Sequence, residues 1–203
     1  TKKRNIYDQM AQVLVPYDIS GNIQVFDQNG NLNESGDTAV GKKFYEAIFV
    51  NFARLLTKDE VKKGTFSMSF LTGGTPAART DSMTLSDYGA ASNFLVNSPT
   101  GEYGLLYTSS ATPNSNSAVG HVYYQAGIAV ISPYIFTNAP LTPSTSSAAG
   151  QATFGIPGAA TEIFYVLSQS SIDTFANGLR NRLVNIEYNN TTELNSTIYF
   201  CRA

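Results

Sequence analysis

The chain has 203 residues, enough for one domain of sandwich size or two smaller ones, and its 42% hydrophobic and 12% aromatic content argues against disorder. Charged residues make up only 14%, against roughly a quarter in an average soluble domain, while Tyr and Phe number 12 each. The net charge is −2 and the cations fall in short clusters (Lys2-Lys3-Arg4, Lys42-Lys43, Lys62-Lys63, Arg180 and Arg182), so no nucleic-acid partner is expected.

Low charge with many aromatics is the composition of an interface core. Extracellular β-proteins and assembly subunits both tolerate it. Cys201 is the only cysteine, which excludes an intramolecular disulfide and the Cys/His zinc patterns. It reads as a small hydrophobe in a terminal strand. No apolar run approaches the ~20 residues that span a bilayer. The basic start runs into Asn5-Ile6-Tyr7-Asp8 rather than an apolar stretch, unlike a secretory signal. No membrane partner is expected. With Thr1 in first place, the expectation is a processed product or part of a longer polypeptide.

In chain order, residues 1–20 read as a lead-in that ends at the Pro16-Tyr17-Asp18 break. Residues 22–27 (NIQVFD) read as a short strand, and Asn29-Gly30 as a tight turn. A polar stretch continues to Gly41. Residues 44–56 (FYEAIFVNFARLL) carry two periods: Phe44, Ile48, Phe52 and Leu55 at helical spacing, and Ile48, Val50 and Phe52 in alternation. After a polar connector, 58–64 (KDEVKKG), residues 65–71 (TFSMSFL) place Phe66, Met68 and Phe70 on one face and Ser67 and Ser69 on the other. That is a half-buried strand. The two segments are expected to pair as a hairpin.

Further strands are expected at 82–88, 103–109, 120–124 and 162–168. Residues 120–132 (GHVYYQAGIAVIS) read as a second hairpin turning at Gln125-Ala126-Gly127. The loops 109–118 and 137–161 are rich in Ser, Thr, Asn, Gly and Pro and carry no charge, as surface loops or ordered contact arms do. A helix is expected at 171–179, with Ser171 as N-cap, Asp173 in the first turn, and Phe175 and Leu179 four apart. Strands at 182–188 (RLVNIEY) and 196–202 (STIYFCR) flank Asn189-Asn190-Thr191-Thr192-Glu193 as a third hairpin, with Val184, Ile186 and Tyr188 on one face. The fold class is mainly β: antiparallel hairpins forming a sandwich-like or mixed sheet domain, with one or two short helices and long loops. The organisation is an N-terminal lead-in or arm over 1–43 and a β-rich assembly domain over 44–203.

The chemistry-bearing residues yield no constellation. His121 is the only histidine, so any Ser-His-Asp triad needs it and a multi-His metal site is excluded. Beside Tyr123 and Tyr124 in a strand, it reads as structural. Gly36-Asp37-Thr38-Ala39-Val40-Gly41-Lys42-Lys43 has the spacing of a phosphate-binding loop, but Lys43 replaces the hydroxyl that would hold Mg²⁺, and no apolar strand precedes it. Asp81, Asp87, Glu102 and Glu162 are scattered over turns and strand ends, where they read as solvated or capping carboxylates rather than a hydrolytic pair. Gly73-Gly74 reads as a turn, and Arg79-Thr80-Asp81 is not an adhesion tripeptide. The glycosylation patterns at Asn33, Asn189, Asn190 and Asn195 are incidental in so Asn-, Ser- and Thr-rich a chain. No catalytic, cofactor-binding or metal-ligating residue, and no cofactor, is expected; the chain does not read as an enzyme.

Several segments together resemble the virion structural proteins of large contractile-tailed bacteriophages, of the marine and cyanobacterial myophage type. In that family an aromatic N-F-x-R strand precedes a charged connector and Gly, then an alternating strand. Here these are Val50-Asn51-Phe52-Ala53-Arg54, residues 58–64 and residues 65–71. A Tyr-Gly segment leading to an aromatic pair and a Gly-Ile-apolar strand matches residues 101–107 and 122–131 (VYYQAGIAVI). The closing Tyr199-Phe200-Cys201-Arg202-Ala203 resembles a family strand that runs on into an Asn- and aromatic-rich motif, where this sequence stops. The resemblance spans about residues 44–203 and carries no catalytic residues. It implies a virion location, other virion structural proteins as partners, and oligomeric assembly, without fixing the place in the particle; the expectation there is the tail (baseplate, fibre anchor or neck), with a head or capsid position next. A β-sandwich carbohydrate-binding or adhesion module is the rival from another class, with Tyr103, Tyr107, Tyr123 and Tyr124 stacking on sugars.

Overall fold

The structure, a computed structural model, describes residues 1–30, 43–57, 59–71, 82–97, 99–108, 117–136, 167–168 and 170–192. The loop 137–161, most of 109–118, the strand expected at 162–168 apart from its last residues, and the strand expected at 196–202 with Cys201 lie outside the described residues.

The lead-in is largely helical. Thr1 caps helix α1 (Lys2–Leu14) by accepting from the Arg4 N–H at 3.4 Å. Tyr7, Ala11 and Leu14, spaced i, i+4 and i+7, are the residues it buries. Pro16 disfavours helix at the residue before it, and Val15 is extended at φ −129°, ψ 149°.

Twelve strands follow among the described residues: β1 (Phe26–Asp27), β2 (Lys43–Phe44), β3 (Ile48–Asn51), β4 (Glu60–Val61), β5 (Ser67–Leu71) and β6 (Ser82–Ser86). The remainder are β7 (Leu95–Asn97), β8 (Gly101–Leu106), β9 (Gly120–Tyr123), β10 (Ile128–Ile131), β11 (Leu183–Glu187) and β12 (Asn190–Thr191). A second helix, α2 (Ile172–Arg182), is capped by Ser171, whose hydroxyl accepts from the Thr174 N–H at 3.1 Å. All pairings are antiparallel, in open sheets of order β3-β10-β9-β8-β7 and β11-β5-β6, with two-stranded pairs β1-β2 and β12-β4. The chain is mainly β, with two α-helices described.

The five-stranded sheet is covered on both faces, so every residue of β9 and β10 is buried. On one face Tyr123, Ile128, Val130 and Tyr103 pack against Tyr7, Ala11 and Leu14 of α1 and Phe26 and Phe44 of the β1-β2 pair. On the other, Val122, Ala129, Ile131 and Leu106 meet Phe66, Met68, Phe70 and Leu85 of the three-stranded sheet. The hydrophobic area removed from water at these two interfaces is the main stabilising contribution, about 25 cal/mol per Å².

The expected hairpin between 44–56 and 65–71 does not form. β3 pairs with β10 in the larger sheet, while β5 lies between β6 and β11 in the smaller one. The stretch between β3 and β5 is no turn: Phe52 and Val61 are buried within it, and the Phe52 N–H donates to the Gly127 carbonyl at 2.8 Å. These contacts carry the chain from one sheet to the other. The strand expected over 22–27 shrinks to β1, because the Asp18 carboxylate accepts from the N–H groups of Ser20 (2.8 Å) and Asn22 (2.7 Å) and holds a loop closed by the Tyr17–Ile23 bridge. The β9–β10 hairpin forms as expected. Its turn needs Gly127, at φ +63°, where a Cβ would also lie 2.5 Å from the Ala53 Cα. In β11 a register shift between Leu183 and Asn185 breaks the expected face: Ile186 and Tyr188 pack inward, but Val184 is exposed.

Candidate functional site

His121 lies in the middle of β9, 1% exposed, ringed by Phe26, Phe44, Tyr103 and Tyr123 at centroid distances of 5.7 to 6.3 Å. Burial pushes its imidazole down to about 4, with the backbone of Asp27 and Gln28 pulling the other way. The ring is therefore neutral at pH 7. Nδ1 is 3.4 Å from the Tyr123 hydroxyl, and Nε2 has no hydrogen-bond partner among the described residues. A solvent-borne substrate cannot reach it in this conformation.

Next to it, Asp27 is wholly buried and receives the Lys43 Nζ at 2.5 Å. Lys43 is the residue that stands where the phosphate-loop pattern needs a hydroxyl, and here its ammonium neutralises a buried carboxylate. The rest of that pattern, with Gly73-Gly74 and Arg79-Thr80-Asp81, lies outside the described residues.

Of the four scattered carboxylates, Asp87 and Glu102 are among the described residues, and each is held by partners of its own. Asp81 and Glu162 lie outside the described residues. Glu102, on β8, forms an ion pair with Lys63, which also sits 4.8 Å from the Phe94 ring centroid. Asp87, expected as a solvated or capping group, is a deeply buried cap: it is 1% exposed and accepts from the Gly64 N–H (2.7 Å), the Phe66 N–H (3.0 Å) and the Tyr124 hydroxyl (2.9 Å). Burial pushes its carboxyl up to about 6 against those hydrogen bonds. Its burial could not be read from local sequence, because Tyr124 comes from a distant strand. Among the described residues no cluster of three or more His, Cys, Asp or Glu could hold a metal ion, and no helix is long and apolar enough to cross a membrane.

The tyrosines that a sugar-binding face would use are all interior: Tyr103, Tyr107, Tyr123 and Tyr124. Burial raises their phenols, that of Tyr103 to about 12. Tyr103 stacks on Tyr123 at 5.3 Å, and with all four buried none presents a platform to solvent.

No family model, curated protein or solved structure matches the chain.

The surface of the described residues carries several large apolar side chains. Val96 on the edge strand β7 is 66% exposed, and Val13, Tyr17, Ile19, Tyr45 and Leu55 are each more than half exposed. A hollow of about 400 Å³ opens between α1, residues 45–49 and α2, floored by Ile48, Phe49, Phe175 and Leu179. Lys3 spans its rim, donating to the carbonyls of Leu167 and of Ser170 (2.6 Å).

Proposed function

We propose that the chain is a structural component of a tailed-phage virion, tail-associated at the baseplate, fibre anchor or neck, that works through subunit contacts rather than through turnover. The observation that carries this reading is the pairing of large exposed apolar side chains with a chain only 14% charged. Isolated surface hydrophobes are ordinary, but a protein that functions alone in solution normally offsets them with charge. An edge strand carrying Val96 offers backbone groups for pairing as well as apolar area, which are the two ingredients of strand-addition contacts. The resemblance of residues 44–203 to myophage structural proteins supports the virion; the tail is the first placement proposed within it, with the head next.

Mass spectrometry of purified particles tests the assignment. Peptides of this chain are expected in the particle and, after heads and tails are separated, in the tail fraction at a copy number comparable to other tail proteins. Recovery with the heads would move the assignment to the capsid, and absence from both would remove it.

A further inference from the structure

We infer that Asp87 and Tyr124 form a proton-operated latch between the two sheets, which holds the connector 59–66 closed when the Asp87 carboxyl is neutral and loosens it when the carboxyl is charged. Three pieces of the fold meet at this group. Asp87 follows β6 of the smaller sheet; its oxygens take the N–H groups of Gly64 and Phe66 from the connector and the hydroxyl of Tyr124 from the end of β9 in the larger sheet. Its own N–H donates back to the Phe66 carbonyl at 3.3 Å, and the Val61 N–H donates to the Tyr124 carbonyl at 3.2 Å. The Tyr124 ring reaches Asp87 over Gly104 of β8, where any Cβ would overlap the hydroxyl.

All three donors to the carboxylate are neutral. The charged groups around the joint are Glu60 on β4 and Glu102 on β8, which with Asp87 bear on the Tyr124 phenol, and Lys63 on the connector. Lys63 is held by Glu102 and lies 3.9 Å from Glu60. An ionised Asp87 is thus stabilised by dipoles alone in a site nearly closed to water, consistent with the elevation of its carboxyl to about 6. On acidification the carboxyl takes a proton from solvent, and the phenol turns from donor to acceptor. The only bond made is the carboxyl O–H, and its proton returns to solvent as pH rises.

The sign follows from the raised folded value. The extra stability of the closed joint is complete below the unfolded carboxyl value of ~3.9 and is lost as pH rises through about 6. Local opening that exposes Asp87 is then about tenfold more frequent at pH 8 than at pH 5.

The test is NMR on the full chain: a pH titration of the Asp87 carboxyl carbon, with amide exchange of Gly64 and Phe66 at pH 5 and pH 8 corrected for intrinsic rates. A carboxyl midpoint near 6 and protection roughly tenfold lower at pH 8 are expected, while β9 amides around His121 do not lose protection in that direction. In Asp87→Asn the pH dependence at Gly64 and Phe66 should vanish. A midpoint near 4, unchanged protection in the native chain, or a tenfold dependence that persists in Asp87→Asn would each overturn the latch. The native-chain titration decides even where the variant does not fold.

Discussion

Two buried groups, His121 and Asp87, act on stability with opposite signs. His121 is held at about 4, below its usual 6.5, so its contribution is complete above pH 6.5 and is lost as pH falls toward 4. Asp87 is held above its usual value, so its contribution is complete in acid and is lost as pH rises through about 6. Each shift corresponds to about 3 kcal/mol at full extent, and the two largely cancel between pH 5 and 8, leaving the native chain to change by under ~1 kcal/mol from this pair. Urea unfolding at the two pH values should expose the cancellation. His121→Phe is expected to gain about 1.5 kcal/mol on going from pH 8 to 5, and Asp87→Asn to lose about 2 kcal/mol. Lys43→Ala strands the buried Asp27 carboxylate and is expected to cost about 3–5 kcal/mol by the same method. The place of His121 inside a strand was legible from its neighbours, since it stands among the apolar and aromatic residues of 119–124. Asp87 was not: a single Asp at a strand end looks solvated until the remote Tyr124 is folded over it.

At the level of elements, the strands whose side chains alternate cleanly or are apolar throughout were legible. Residues 65–71 and the 120–132 hairpin fall close to β5 and to β9 with β10, and Ser171 starts α2 where its cap chemistry puts it. Helix α1 was missed because only Tyr7, Ala11 and Leu14 in a mostly polar run mark its buried stripe, although a Thr cap and a Pro stop frame it. Partner choice was not legible. β3 and β5 lie close in sequence but belong to different sheets, because the buried Phe52 and Val61 make the stretch between them part of the core. Gly104 shows how one element constrains another: Gly104→Ala should displace the Tyr124 ring and cost about 2–3 kcal/mol in urea unfolding. The same change in a Tyr124→Phe background should cost measurably less, because the colliding hydroxyl is already gone. Equal costs in the two backgrounds would contradict the crossing.

For the whole molecule, the described residues form one five-stranded sheet with a helical layer on one face and a second sheet on the other, leaving apolar side chains outside at edge strand β7, along α1 and around residues 17–19 and 45. Neither the interior histidine nor the interior tyrosines serve a solvent-facing site, so the surface is where function is proposed to lie. The central claim is that this surface is occupied by other subunits in a phage particle, and cryo-electron microscopy of intact virions tests it most directly. The account predicts density for this fold in the tail, with Val96 of β7 and the side chains of Val13 and Tyr45 against neighbouring chains. Particles in which the fold is absent, or present with these side chains facing only solvent, would contradict it.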